Sequence, residues 1–260
     1  MELKQRLREG EIVCGIMLSE IYTPNIVRIL ANCGYDFLLV DCEHGCFDMS
    51  QVSNLISVAE GRGLDVLVRV TIDSISSVTK YMDMGARGIL LSNTENAREA
   101  EALVKRCLYA PQGDRGVSTF RAHTNYCSTD LVDIMRHANE RNIVIAQIES
   151  AQAVENLDAI CGIDGVDGVL IGPNDLTQHM GIIGKYDHPE VRRLINTVRE
   201  VTARHHKWSG IITGNQPLIE YCAGIGMTCF SVGSELNALA SGAKTKYCQS
   251  MRILKKEEET

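Results

Sequence analysis

The sequence predicts a (β/α)8 barrel that forms a single domain over residues 1–260. Eight short apolar runs alternate with amphipathic stretches of helical period from one end of the chain to the other. These runs are continuously apolar, as expected for parallel strands that are buried on both faces. The length of 260 residues is close to the ~250 typical of such barrels. An open, doubly wound sheet is the alternative, although no G-x-G-x-x-G motif follows the first strand, which weakens a dinucleotide site.

The strands are predicted from apolar and β-branched runs that are flanked by turn residues. They are expected at residues 13–18, 36–43, 66–70, 88–92, 143–149, 168–172, 208–213 and 229–233. The helices are predicted from apolar residues at helical spacing and from start signals such as Pro24 and Ser50. They are expected at residues 24–33, 50–60, 74–84, 95–107, 129–141, 150–167, 189–205, 217–225 and 234–253, with a long irregular segment at 109–128 and a fraying charged tail at 255–260.

Composition and charge exclude several classes of function. The net charge of −7 argues against a nucleic-acid partner, which would need a basic face. No apolar run reaches the roughly 18 residues of a membrane span, and the charged N-terminus has no signal-peptide core. None of the ten cysteines lies in a C-x-x-C motif, so we interpret them as reduced thiols of a cytoplasmic protein. A soft-metal site at Cys42 and Cys46, beside His44, is a minor alternative.

Paired acids at the ends of two neighbouring strands are the first candidate for chemistry. The active site of such a barrel lies at the C-terminal ends of the strands, where Glu149 and Asp175 are expected to converge. Two carboxylates suit a divalent cation that prefers oxygen ligands, although Glu149 could instead cap a helix and Asp175 begin a turn. No predicted strand contains a lysine for Schiff-base chemistry, and strands five and six offer no histidine set for zinc. The sequence therefore favours Mg²⁺ or Mn²⁺.

An arginine and a histidine lie close to these acids in the predicted barrel. Arg69 is inside the apolar run VLVRV, and a buried guanidinium needs an anionic partner. It could form an ion pair with Asp41 or Glu43, or it could donate to a developing oxyanion. His44 follows the second strand beside these acids, which could raise its basicity and fix its tautomer. His44 could be an ordinary surface residue, but together with Arg69 and the paired acids we interpret it as catalytic.

Five sequence motifs occur along the chain: D-x-E-H at 41–44, R-V at 69–70, M-D-x-G-A at 82–86, Q-I-E at 147–149 and G-x-D-G-V-x-I-G-P-x-D-L at 165–176. These motifs resemble those of the HpcH/HpaI aldolase family, the metal-dependent pyruvate aldolases, and the resemblance covers nearly the whole chain. The irregular segment keeps the family's P-x-G-x-R-G pattern, but its second half, with His123, Asn125 and Tyr126, departs from the small residues expected there. This departure leaves the aldehyde open.

The resemblance implies a homo-oligomeric enzyme, a hexamer built as a trimer of dimers, with its final helix exchanged between subunits. It also implies Mg²⁺, Mn²⁺ or Co²⁺ as the cofactor. The implied roles are metal binding by Glu149 and Asp175, proton transfer by His44 supported by Asp83 of a neighbouring subunit, enolate stabilisation by Arg69, and substrate binding by Gln147 and the backbone at Gly172, Pro173 and Asn174.

The predicted barrel topology places Asp83 away from His44 of the same chain. This residue ends the third predicted helix, whereas His44 follows the second strand. Helices in this fold run antiparallel to the strands, so the two residues lie on opposite faces of the barrel, separated by roughly 15 Å for five strand residues. We therefore expect Asp83 to reach only a His44 of another chain.

The sequence thus predicts an aldolase that reversibly cleaves a 4-hydroxy-2-oxo acid into pyruvate and an aldehyde. The backbone amides at 172–175 suit the substrate carboxylate. Oxaloacetate decarboxylation in the same site is one alternative, because loss of CO₂ gives the same enolate. A citryl- or malyl-CoA lyase is another, although no basic cluster is present for the nucleotide phosphates. A non-catalytic oxo-acid sensor is the third, and the set of acids, His44 and Arg69 argues against it.

Overall fold

Eight parallel strands close into a barrel in the structure, a computed structural model that describes residues 1–127 and 130–255. Each strand pairs with the next along the chain, and the last pairs with the first. The predicted (β/α)8 fold class is therefore confirmed. The strands are β1 (Val13–Leu18), β2 (Phe37–Asp41), β3 (Asp65–Val70), β4 (Gly88–Leu91), β5 (Ile143–Ile148), β6 (Gly168–Ile171), β7 (Trp208–Ile212) and β8 (Cys229–Ser234).

Helices follow the strands and cover the outside of the barrel. Two 3₁₀ helices, Ile72–Ser77 and Ala122–Thr124, lie in the connections, and the residues beyond Lys255 that were predicted to fray lie outside the described range. The helices are α1 (Leu3–Arg8), α2 (Asn25–Asn32), α3 (Met49–Glu60), α4 (Val78–Asp83), α5 (Ala97–Cys107), α6 (Leu131–Arg141), α7 (Ala151–Glu155), α8 (Leu157–Cys161), α9 (Pro173–His179), α10 (Pro189–Arg204), α11 (Gln216–Gly224) and α12 (Glu235–Lys255).

The barrel interior changes from apolar to polar along the strands. Phe37, Leu67, Ile145 and Leu170 belong to one buried cluster that fills its lower part. Side chains of a strand alternate between its two faces, so the residue two positions after each of these four residues also points inward. Those inward positions are occupied by polar residues or glycine on three strands, among them Arg69 on β3. The strands therefore carry polar side chains inward at their C-terminal ends.

The opposite end of the barrel is closed by α1, a helix that the sequence analysis did not predict. Leu3 and Leu7 are buried and belong to the interior cluster together with Trp208. Gly168, the neighbour of Trp208 on the next strand, has no room for a side chain, because a Cβ would lie 2.2 Å from the indole ring. The N-terminal end of the barrel interior is thus packed with side chains.

Several predicted boundaries were wrong for local reasons. Helix α3 begins one residue early, because the Asp48 carboxylate, not Ser50, accepts the Gln51 amide hydrogen at 2.8 Å. The predicted helix at 74–84 is divided between a 3₁₀ helix and α4. The segment after β5 forms two short helices that meet at Asn156, whose side-chain amide donates to the Glu95 carbonyl at 2.8 Å.

Strands β2 and β5 are among those that end earlier than predicted, and this places the candidate acids Glu43 and Glu149 in loops. The last pair of β2 with β3 is Asp41 with Arg69, so Glu43 lies beyond the ladder. Likewise β5 ends at Ile148, and Glu149 follows it. Ser150, not Glu149, caps α7 by accepting the Ala153 amide hydrogen at 3.0 Å. The helix-cap interpretation of Glu149 is therefore wrong.

The C-terminal helix α12 extends away from the barrel. Of its described residues only Glu235 is buried, and Leu239, Tyr247 and Leu254 are exposed. No helix in the described ranges is long and apolar enough to cross a membrane.

Candidate active site

A cavity of about 290 Å³ opens at the C-terminal ends of the strands. Of the nine predicted site residues, eight line it, and Asp83 is the exception. The eight include both paired acids, Glu149 and Asp175, together with Arg69 and His44. The far wall, opposite the acids, is formed by residues that follow β1, β7 and β8, including Ser19, Thr213 and Asn237.

Arg69 is buried and bonded to two carboxylates. Its Nε donates to Asp41 Oδ1 at 2.9 Å and its Nη2 to Asp41 Oδ2 at 2.6 Å, while Nη1 lies 3.1 Å from Glu43 Oε2. The ion-pair interpretation of Arg69 is therefore correct, with both acids as partners. A guanidinium has five N–H donors, so those not used by Asp41 and Glu43 are available at the cavity that Arg69 lines. The ion pair and a donor role are compatible.

Asp41 is the carboxylate that orders this corner of the site. Burial acts to raise the pKa of Asp41, but the hydrogen bonds and charge of Arg69 outweigh it, so the pKa lies below its usual value. Asp41 Oδ1 also accepts the backbone amide hydrogens of Glu43 at 3.0 Å and His44 at 3.2 Å. One oxygen therefore holds both Arg69 and the turn that carries His44.

His44 presents its ring to solvent in the single chain. The side chain is 72% exposed, and Nε2 lies 4.0 Å from Glu43 Oε2, beyond hydrogen-bond distance. The expectation that neighbouring acids fix its tautomer is not met by any ring hydrogen bond within the described chain. Its backbone is fixed and its ring stays free, which suits a proton carrier that needs access to substrate and water.

Glu149 is buried among other acids. Burial raises the pKa of Glu149 to about 8; the charges of Asp175 and Glu43 add to this shift, and the Asn93 amide, which donates to Oε2 at 2.8 Å, opposes it. Gln147 Nε2 donates to Glu149 Oε1 at 2.7 Å. Without a cation, the carboxyl group is therefore largely protonated at neutral pH.

The segment after β6 begins α9 instead of the simple turn that was expected. Asp175 lies in its first turn. The amide of Gly172 donates to the Ile148 carbonyl at 3.1 Å, and Pro173 has no amide hydrogen. Of the backbone amides at 172–175, those of Asn174 and Asp175 in the first turn of α9 are therefore left for a carboxylate, and carboxylate binding there stays a prediction. Gly172 itself leaves room for the acids, since a Cβ would lie 2.2 Å from Glu149 Oε1.

Asp83 lies at the other end of the barrel, as the topology predicted. It is the last residue of α4, just before β4 begins. Arg115 Nη2 donates to its Oδ1 at 2.6 Å, and the guanidinium of Arg115 packs over the Tyr109 ring. The Asp83 side chain remains 21% exposed. Its carboxylate is therefore held by its own chain and still accessible from outside.

Sequence reasoning missed three residues that hold functional side chains or loops of the site in place. Asn93, in the left-handed region at φ 47°, connects Glu149 to Glu43, whose Oε1 accepts from its Nδ2 at 3.3 Å. His179 Nδ1 lies 3.0 Å from the Glu149 carbonyl oxygen and 2.9 Å from that of Asp175, so its N–H fixes the backbone of both acids. The spacing of four residues between Asp175 and His179 on one helix was the available signal. Glu235 is the third such residue.

The donor set fits a divalent cation that prefers oxygen. Glu149 and Asp175 supply carboxylate oxygens, and Gln147 Oε1 is buried with no hydrogen-bond partner in the described chain. No group of three or more His, Cys, Asp or Glu side chains within the described ranges could hold a metal, and Cys46 is exposed, so the soft-metal alternative at Cys42 and Cys46 gains no support. Two carboxylates are sufficient for Mg²⁺, which keeps several water ligands.

Lysine chemistry is absent from the described cavity. Its lining contains no lysine. Lys207 precedes β7 at the opposite end of the barrel, where its Nζ donates to the Ile163 carbonyl at 3.0 Å. Burial lowers the pKa of Lys207. The Lys207 amine nevertheless lies at the other end of the barrel and does not line the cavity.

Comparison with known proteins shows similarity over nearly the whole chain. The family model for HpcH/HpaI aldolase/citrate lyase matches residues 16–241. A hydroxypyruvate/pyruvate aldolase of Pseudomonas aeruginosa is 33% identical, over 91% of this chain and 87% of that protein. A 4-hydroxy-2-oxo-heptane-1,7-dioate aldolase of Salmonella paratyphi C is 32% identical, over 93% and 91%. A solved HpcH/HpaI aldolase from Desulfitobacterium hafniense superposes with a TM-score of 0.90 at 31% identity, covering 97% of each chain.

The raised pKa of Glu149 leads to a prediction about stability. Its pKa in the folded state lies above the unfolded value, so the metal-free protein loses stability as the pH rises from about 4.3 through about 8. Glu149→Gln removes this loss. In EDTA, we expect the variant to have the higher Tm, by several degrees at pH 8 and little at pH 5, since ~1 kcal/mol is worth roughly 2–4 °C at this size.

Differential scanning fluorimetry across this pH range measures the effect. Glu101→Gln, which changes an exposed glutamate on α5, is the control and should follow wild type. Mn²⁺ should raise the Tm of wild type more than that of Glu149→Gln. A Tm difference that does not depend on pH would contradict the assignment.

Proposed function

Because this chain belongs to the HpcH/HpaI aldolase/citrate lyase family, it is a carbon–carbon lyase of the aldolase type, and we propose that it reversibly cleaves 4-hydroxy-2-oxo acids to pyruvate and an aldehyde. The observation that carries this proposal is the convergence of Arg69, His44 and the paired acids Glu149 and Asp175 on one cavity. A hydroxypyruvate/pyruvate aldolase and a 4-hydroxy-2-oxo-heptane-1,7-dioate aldolase among the relatives support the substrate class.

Glu149 and Asp175 are proposed to hold a divalent cation, Mg²⁺ or Mn²⁺, with Co²⁺ as a further candidate. When bound, the cation supplies Lewis acidity to the 2-oxo and carboxylate oxygens of the substrate. The free amides of Asn174 and Asp175, at the start of α9, suit the substrate carboxylate. Gln147, which is fixed by its bond to Glu149, adds a neutral polar group beside the 2-oxo acid.

Arg69 is proposed to stabilise the enolate. In the cleavage direction the bond between C3 and C4 breaks. Its electron pair stays with C3 of the pyruvate part, which becomes an enolate with charge on the C2 oxygen. Arg69 cannot swing away, because Asp41 and Glu43 hold three of its nitrogens. Its remaining N–H donors are therefore preorganised for charge that develops in the transition state.

His44 is proposed to take the proton of the 4-hydroxyl group, directly or through one water. The C4–O bond then becomes the carbonyl of the leaving aldehyde, and a proton is later delivered to C3 of the enolate to give pyruvate. The exposed ring and fixed backbone of His44 suit such a transfer. Asp83 of a neighbouring subunit is proposed to raise the basicity of this ring.

The far wall of the cavity supports a neutral, hydroxylated aldehyde. It carries hydroxyl and amide groups, of which Ser234 Oγ donates to Asn237 Oδ1 at 2.9 Å. Arg69 and His44 are the basic residues in the described lining, and Arg69 is already paired with two carboxylates. A terminal carboxylate on the aldehyde therefore finds no free cation on this wall, whereas hydroxyl groups find partners.

The exposed apolar residues of α12 support the proposed hexamer with exchanged C-terminal helices. Leu239, Tyr247 and Leu254 lie along a helix that makes little contact with its own barrel. Apolar side chains of this size on a protruding helix are stabilised when another copy of the chain covers them.

The first test of the function is an assay of pyruvate release. Purified protein with Mg²⁺ or Mn²⁺ should cleave 4-hydroxy-2-oxo acids, with a higher kcat/KM for hydroxylated neutral tails than for tails that end in a carboxylate. EDTA, Glu149→Ala or Asp175→Ala should abolish the activity, because each removes the proposed metal site. Glu101→Ala is the matched control and should retain it. Full activity in EDTA would reject the metal-dependent mechanism.

The second test concerns the shared site. Asp83→Asn should lower activity and leave Mn²⁺ binding unchanged, because Asp83 lies far from the acids of its own chain. Mixing the impaired Asp83→Asn chains with impaired His44→Ala chains should restore part of the activity, since some hybrid sites contain both wild-type residues. Subunit exchange is verified by native mass spectrometry. No recovery after verified exchange would reject a site built from two chains.

A further inference from the structure

Glu235, the first residue of α12, holds the loop that follows β1. Its side chain is buried, and its Oε1 accepts the backbone amide hydrogens of Ser19 and Glu20, each at 2.8 Å, and of Ile21 at 3.1 Å. Without these bonds a buried carboxylate would be costly, and without the carboxylate the three part-buried amide bonds would lose their acceptor. Glu235 and residues 19–21 therefore depend on each other.

The same loop holds the turn that carries His44. The Cys46 amide donates to the Ser19 carbonyl at 3.2 Å. Gly45 lies between two backbone carbonyls, because a Cβ there would be 2.1 Å from the Asp41 carbonyl oxygen and 2.8 Å from that of Ser19. The turn is thus fixed on one side by Asp41 and on the other by the loop that Glu235 holds.

We propose that Glu235 is a positioning residue for His44. The connection runs from the start of α12 through residues 19–21 to the turn at residues 44–46, and each step is a hydrogen bond or a close backbone approach. This inference rests on the proposed function, in which His44 takes the 4-hydroxyl proton. It also links the placement of the base to the helix that is proposed to be exchanged between subunits.

The residues that hold the enolate do not depend on this connection. Arg69, Gln147 and Glu149 lie on or directly after β3 and β5, and their partners are Asp41, Glu43 and Asn93. Loss of Glu235 should therefore impair the step that needs His44 and spare the binding of metal and oxo acid. Oxaloacetate decarboxylation distinguishes the step that needs His44 from the stabilisation of the enolate. CO₂ leaves from C3 and the electron pair forms the same enolate, but no hydroxyl proton is removed.

The test compares Glu235→Ala with wild type, with His44→Ala and with the double variant. For Glu235→Ala we expect kcat for aldol cleavage to fall by roughly 10- to 100-fold, the scale on which a misplacement of about 1 Å acts. KM and the Kd for Mn²⁺ should stay within about twofold, and oxaloacetate decarboxylation should persist. The double variant should cleave no more slowly than His44→Ala, because both changes remove the same step.

Asp36→Ala is the matched control. At the other end of β1, Asp36 Oδ2 accepts the Cys14 amide hydrogen at 2.7 Å and its Oδ1 accepts from Arg6 Nη1 at 2.6 Å. The variant therefore loses carboxylate hydrogen bonds far from His44 and should keep both activities. If Glu235→Ala does not fold, Glu235→Gln replaces it, because a neutral amide oxygen is a weaker acceptor for the three amides.

Three outcomes would overturn the inference: retained cleavage, additive losses in the double variant, or parallel loss of cleavage and Mn²⁺ binding. Failure of the wild-type protein to cleave any 4-hydroxy-2-oxo acid would instead reject the proposed function.

Discussion

The buried ion pair of Arg69 with Asp41 and Glu43 is the interaction on which the rest of the site depends. It lies where the apolar interior of the barrel ends, and Arg69 and Asp41 are partners in the last pair of β2 with β3. Removing one member of a buried ion pair costs about 3–5 kcal/mol, because the other charge is left without compensation. Asp41 also holds the amide of His44. The guanidinium and the turn that carries His44 are therefore placed by one carboxylate.

The second half of the site brings together acceptor groups and contains few cationic partners for them. Glu149 is buried beside Asp175 and Glu43, and burial with their charges raises its pKa to about 8. Gln147 Oε1 is buried without a hydrogen-bond partner in the described residues. Such a cluster of acceptors is unfavourable in isolation, since burial opposes the charged form of a carboxylate. A bound divalent cation would remove this cost, so the acids that are proposed to bind it lower the stability of the metal-free protein.

Much of this arrangement could be predicted from the sequence. Alternation along DFLLVD and VLVRV places Asp41 and Arg69 on the inward face, and chain order alone brings Glu149 near Asp175. The position of Asp83 at the opposite face also followed from topology. These predictions succeed because they depend on strand period and barrel connectivity, which are properties of short segments.

The partners of these residues could not be predicted, because they are set by contacts between distant parts of the chain. Glu235 is 216 residues from Ser19 and Arg115 is 32 from Asp83. The left-handed Asn93 gave no signal in its surroundings. The start of α3 was misplaced because Asp48 and Ser50 are both good capping residues, and only the bond to Gln51 decides between them.

The central claim, that this cavity stabilises the enolate of pyruvate, is tested most directly by hydrogen exchange without any aldehyde. Pyruvate is incubated in D₂O with Mg²⁺ and protein, and deuterium in the methyl group is followed by NMR. Wild type should catalyse exchange, and Arg69→Lys, which keeps the charge for Asp41 and Glu43 but lacks the forked donors, should slow it by about 10²–10³. Exchange at the wild-type rate in Arg69→Lys, or in wild type with EDTA, would contradict the account.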